Sequence, residues 1–75
     1  MTLKVLYFAV LREEKGCVSE MRQVSAPMTM EALFLTLFER SPIGIRFALN
    51  QRYVSSDTLL SDGDEVAFLP PLGGG

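Results

Sequence analysis

Asp62-Gly63-Asp64-Glu65-Val66-Ala67-Phe68-Leu69-Pro70-Pro71-Leu72-Gly73-Gly74-Gly75 closes the 75-residue sequence, and its reading decides the fold. Asp-Gly-Asp is a turn signal, with Gly63 free to take positive φ. Residues 65–69 then alternate as a strand, Val66 and Phe68 toward a core, Ala67 and Leu69 away from it. Pro70 and Pro71 lack an N–H and fix φ, so they end the strand and keep the next residues extended. The sequence finishes on three glycines, which carry no side chain to anchor them. Residues 1–72 are therefore expected to form one domain, and Gly73, Gly74 and Gly75 a flexible tail presenting an ionised carboxylate. A frayed end is the bland alternative. A glycine run that follows a strand and two prolines, with only Leu72 between, favours a tail that is threaded into another protein.

Working outward, residues 3–11 read as a first strand rich in β-branched and aromatic side chains. Leu3, Val5 and Tyr7 share one face, and Lys4, Leu6 and Phe8 the other; Lys4 marks the second face as the outer one. Residues 12–16 form a polar break able to hold a helical turn. Residues 18–24 resume as a more polar edge strand, antiparallel to the first. Thr29 is an N-cap for a helix over 30–40. Glu31 and Arg40 suit the two ends of its dipole, and Met30, Leu33, Phe34 and Leu37 form its core stripe. Leu35 and Phe38 widen that apolar surface, either as deeper packing or as a second contact surface. Two short strands follow, 46–49 and 52–55, turning at Asn50-Gln51, and Leu59 or Leu60 plugs the bottom of the core.

The expected order is ββαβββ, α+β in class, with one main helix across one face of a mixed sheet. The first and last strands pair in parallel at its centre through a right-handed crossover. That is the ubiquitin-like β-grasp architecture.

Net charge is −2, with acids and bases interspersed, so phosphate-neutralising nucleic-acid binding is not expected. No apolar run approaches a membrane span and no signal-peptide pattern opens the chain, so a cytoplasmic protein is expected. The chain has no histidine, the commonest general base near neutral pH and a common metal ligand. Catalysis is therefore assigned to a partner. Asp57, Asp62 and Asp64 lack the spacing of a calcium loop. Cys17 has no histidine to activate it and reads as an incidental thiol.

A C-terminal carboxylate is a poor electrophile until an oxygen becomes a leaving group. Adenylation by an ATP-using enzyme does this; sulfur displacing AMP leaves a thiocarboxylate, and an amine leaves an isopeptide bond. Phe8, Tyr53 and Leu69 are expected to form an exposed apolar patch on which the receiving protein docks.

On these residues the chain resembles the family of small, sulfur-carrier subunits of molybdopterin synthase. The resemblance lies in Val5-Leu6-Tyr7-Phe8-Ala9 running into Leu11-Arg12-Glu13, in Thr29-Met30-Glu31-Ala32-Leu33, and in Leu49-Asn50-Gln51 before Tyr53-Val54-Ser55. Its most specific part runs from Leu60 through Pro71 to the glycines. The resemblance implies a role in molybdenum cofactor biosynthesis. Gly75 would be adenylated by a partner related to ubiquitin-activating enzymes, then converted to a thiocarboxylate with sulfur from a donor such as a persulfide protein. The tail would enter the large synthase subunit, with Phe8, Tyr53, Leu69, Pro70 and Pro71 at the interface, and deliver sulfur to cyclic pyranopterin monophosphate. The assembly implied is a heterotetramer of two small and two large subunits. No bound cofactor or metal is expected; ATP is used by the activating enzyme. Other readings are a carrier for thiazole synthesis or tRNA thiolation, a ubiquitin-like protein modifier, and a passive interaction domain.

Overall fold

Alternating apolar residues at the two ends of the chain build the centre of the sheet. In the computed structural model, which describes residues 1–25 and 27–71, β1 (Thr2–Tyr7) lies parallel to β5 (Glu65–Leu69), Val5 opposite Val66 and Tyr7 opposite Phe68. The order along the chain is β1, α1 (Ala9–Lys15), β2 (Ser19–Gln23), α2 (Met30–Phe38), β3 (Arg46–Leu49), β4 (Arg52–Val54) and β5. The five strands lie in the order β2-β1-β5-β3-β4, and every neighbouring pair except β1–β5 is antiparallel. This is the expected mixed sheet with one main helix across a face.

Leu3, Val5, Tyr7, Val66 and Phe68 are fully buried, as their alternation predicts. Helix α2 sets Met30, Leu33, Phe34, Leu37 and Phe38 against them. Phe34 is the hub: its ring stacks on Phe38 at 4.5 Å and meets Phe68 edge-on at 5.3 Å and Phe47 at 6.5 Å. Thr29 caps α2, its hydroxyl accepting from the Ala32 N–H at 3.1 Å. Phe38 belongs to the core and Leu35 alone of the pair is exposed, so α2 is a deeply packed helix rather than one with a second apolar face. Leu60 plugs the core, while Leu59 is exposed and bridges to Thr29.

The first strand ends at Tyr7, not at residue 11, and the helical turn allowed for in the polar break over 12–16 is a seven-residue helix, α1, that begins earlier, at Ala9. The order is thus βαβαβββ. Leu11 is fully buried, as a continued strand would have it, so parity alone does not separate the two readings. The helix is favoured because residues 9–15 are mostly good helix formers, and Gly16, at φ +76, caps it with an N–H bond to the Arg12 carbonyl. Helix α2 ends at Phe38 rather than Arg40: Glu39 adopts the left-handed conformation and returns its N–H to the Leu35 carbonyl. Arg40 leaves the helix and makes a bidentate pair with Glu14, while Lys15 supplies the cation at the α2 end by donating to the Leu37 carbonyl.

The turn before β5 is tied down through its aspartates. Asp62 accepts from the Thr2 N–H at 2.7 Å, and Asp64 accepts from the Ser61 N–H at 2.8 Å and from the Asn50 amide at 3.0 Å. These carboxylates cap backbone, and no cluster of metal-ligating side chains occurs among the described residues. Cys17 is half-buried against the core edge. Among the described residues no helix is long and apolar enough to cross a membrane. Leu72 and the glycines Gly73, Gly74 and Gly75 lie outside the described residues, as does Ala26.

Candidate functional site

The face of the sheet opposite α2 carries a row of side chains set by register alone. Leu6 of β1 stands opposite Ala67 of β5, Ala67 opposite Ala48 of β3, and Ala48 opposite Tyr53 of β4. Two alanines side by side lower the middle of the row between a leucine and a tyrosine. Three inter-strand steps separate those walls, roughly 14 Å at the usual strand spacing. The result is a groove of about 250 Å³, lined by these four residues with Phe8, Gln51, Glu65 and Leu69.

Phe8 reaches the groove because the chain leaves β1 there: Phe8 is still extended and Ala9, at φ +50, turns the backbone into α1. Phe8 is 41% exposed and Tyr53 62% exposed, unusual for large aromatic side chains in a domain with so full a core. Leu69, the last residue of β5, closes one end and faces Arg46 across the β3–β5 ladder. The Arg46 guanidinium lies 4.1 Å from the Tyr53 ring centroid, holding that ring by a cation–π contact. Near the other end Lys4 and Glu65 form an ion pair at 4.0 Å. The site is apolar along its floor and charged only at its margins.

Phe8, Tyr53 and Leu69, named from the sequence, thus share one groove. Pro70 and Pro71 do not line it; they continue from Leu69 at its end. Pro71 passes beside Gly44, where an added Cβ would stand 3.8 Å from the Pro71 ring, so the loop between α2 and β3 flanks the start of the tail. The tail glycines, including Gly75, lie outside the described residues. Sequence reading missed Ala48, Gln51 and Glu65 as lining residues. Alternation puts Ala67 on the outer face without marking it as groove floor. Paired alanines on outward positions of adjacent strands were the available signal, but it required the register.

A five-stranded mixed sheet with a helix on one face, an apolar groove on the other and a terminal strand running into the tail defines a ubiquitin-like β-grasp protein. The sequence profile of the ThiS family matches residues 5–75. The molybdopterin synthase sulfur carrier subunit of Chlamydomonas reinhardtii is 39% identical over 83 aligned positions, covering 100% of both chains. Its counterpart from Escherichia coli K12 is 40% identical over 82 positions, covering 97% of this chain and 99% of that one. The chain belongs to the ThiS family, alongside these molybdopterin synthase sulfur carrier subunits. Among solved structures, SAMP1 from Haloferax volcanii superposes with a TM-score of 0.81 at 21% identity, with 100% of each chain covered, a likeness of fold. A chain in the complex of subunits 1 and 2 of the molybdopterin-converting factor from Helicobacter pylori gives a TM-score of 0.66 at 25% identity, again over 100% of each chain.

Proposed function

We propose that this chain is the sulfur carrier of molybdopterin synthase and that Gly75 holds the sulfur as a thiocarboxylate. The observation that carries the proposal is the apolar groove at the root of the tail, in a chain that aligns end to end with carriers of this kind. Among the described residues the groove is lined mainly by apolar side chains, and its one carboxylate, Glu65, is paired with Lys4. In this reading the chain presents its terminus and partners perform the chemistry.

A ubiquitin-activating-like adenylyltransferase transfers AMP from ATP to the Gly75 carboxylate, releasing pyrophosphate. The terminal sulfur of a donor, such as a persulfide protein, attacks the acyl carbon and AMP departs. A thiol reduces the resulting acyl disulfide and leaves the thiocarboxylate. The large subunit of molybdopterin synthase then binds the groove, with Phe8, Tyr53 and Leu69 as apolar anchors, and Pro70 and Pro71 direct the glycines into its active site. Sulfur passes to cyclic pyranopterin monophosphate, and water restores the carboxylate. The Helicobacter pylori complex of subunits 1 and 2 supports a large subunit as the partner.

The test is reconstitution with ATP, the adenylyltransferase and a persulfide donor, followed by intact-mass analysis. Replacement of one oxygen by sulfur, confined to Gly75 and lost on deletion of that residue, is expected. Sulfur on Cys17 with none on Gly75 would contradict it.

A further inference from the structure

We infer that Gln51 determines how tightly the large subunit docks, its carboxamide bonding a main-chain amide that the partner brings into the apolar groove. The inference rests on the docking role of the groove proposed above and adds to it a residue and a bond type.

Three observations meet at Gln51. First, β3 and β4 are joined by only two residues, Asn50 at φ +50 and Gln51 at φ +70. A two-residue hairpin of this kind favours glycine at its second position, since positive φ crowds the Cβ of any other residue. Glutamine there is strained where glycine would be relaxed, and strain of this sort is retained where surrounding structure or function holds it. Second, the two neighbouring carboxamides are used differently. Asn50 spends its own within the fold, donating to Asp64 at 3.0 Å and accepting from the Glu65 N–H at 2.9 Å. The Gln51 side chain takes no hydrogen bond among the described residues and stands at the groove wall. Third, the groove it borders has a floor of alanines and walls of Leu6, Phe8, Tyr53 and Leu69.

A segment of a partner that fills such a groove loses water from its backbone, and a buried N–H or C=O without a partner is costly. The sheet cannot provide one from its face, because its backbone groups are spent in the ladders. A carboxamide is both donor and acceptor and is uncharged. Two exposed lining residues, Gln51 and Tyr53, can serve either backbone group without bringing a charge to an apolar contact. The Tyr53 ring is held under Arg46, and only Gln51 offers separate donor and acceptor atoms, the complement of a main-chain amide.

The experiment compares the parent chain with Gln51→Gly and Gln51→Ala, measuring melting temperature and the Kd for the large subunit at low and high salt. Gln51→Gly removes strain and carboxamide together: its Tm is expected to rise by a few degrees, on the order of 4 °C for a domain of this size, while its Kd weakens about tenfold. Gln51→Ala keeps the strained φ but not the carboxamide, so its Tm should match the parent and its Kd should weaken equally. Because the group is neutral, the loss should be the same at both salt concentrations. Parent-like Kd values for both variants overturn the inference and leave the carrier reading standing. Weakening in Gln51→Gly alone overturns it as well, by tracing the effect to loop rigidity. A parent chain that fails to bind the large subunit removes the docking role and this inference together.

Discussion

The Tyr7 hydroxyl donates to the Glu20 carboxylate across the β1–β2 pair, tying the phenol of a core tyrosine to an edge strand. Burial, and then the hydrogen bond to Glu20, push the Tyr7 phenol well above its ordinary value of 10. A group whose folded pKa is raised contributes stability that is complete below its unfolded pKa and is lost as pH rises through the folded one. Denaturant midpoints should therefore show the Tyr7 contribution intact up to about pH 10 and shrinking above it. Tyr7→Phe should cost about 1 kcal/mol near neutrality, and the gap between parent and variant should close in alkali. A gap independent of pH would show that the hydroxyl is not held as described.

The opposite pH limb belongs to Glu14. Its hydrogen bonds from Arg40, one of them at 3.0 Å, hold its carboxyl below the usual carboxylate range. A depressed pKa gives stability present above the unfolded value and lost as pH falls through the folded one. Glu14→Gln should therefore flatten the acid side of the stability profile slightly. Both groups are exposed, so the effect should be small and should fade in high salt. A salt-independent effect would contradict an exposed ion pair.

Phe34 joins three other rings at the centre of the core. Phe34→Ala should cost about 3–5 kcal/mol by loss of transfer energy and creation of a cavity. A domain of this size has roughly 4–11 kcal/mol in all. Circular dichroism should show a large fall in Tm or a chain largely unfolded at 37 °C.

Tyr53 offers the complementary case. Its ring is mostly exposed and rests under Arg46, so Tyr53→Ala should change Tm little. Tyrosine at the wall of a docking groove is a frequent anchor, and its truncation should weaken binding to the large subunit by roughly 30-fold, about 2 kcal/mol. Equal binding by parent and variant, measured by calorimetry, would move the interface elsewhere.

Much of this molecule is legible in its sequence. Alternation placed Leu3, Val5, Tyr7, Val66 and Phe68 in the core, and capping chemistry placed Thr29 at the start of α2. Asn50-Gln51 is readable as a turn because asparagine favours turn conformations between two short strand-like runs. Helix α1 was not readable by period, since Leu11 has the same odd parity as the buried positions of β1 and is buried as they are. The end of α2 is not legible because Arg40 suits a helix terminus, yet it pairs instead with Glu14, 26 residues earlier. The groove was only half legible. Phe8 and Leu69 announce themselves as outward apolar residues, but its alanine floor depends on pairing Leu6 with Ala67 and Ala48 with Tyr53. Strands of three or four residues carry too few alternations to fix that register.

The most direct measurement supplies the sulfur chemically and asks whether it moves. Full-length protein bearing a synthetic thiocarboxylate at Gly75 is mixed with the large subunit and cyclic pyranopterin monophosphate under single-turnover conditions. Molybdopterin should form as the thiocarboxylate reverts to carboxylate, with carrier consumed in proportion to sulfur delivered. If the thiolated chain binds a competent large subunit and yields no sulfurated pterin, Gly75 is not the sulfur carrier for this reaction.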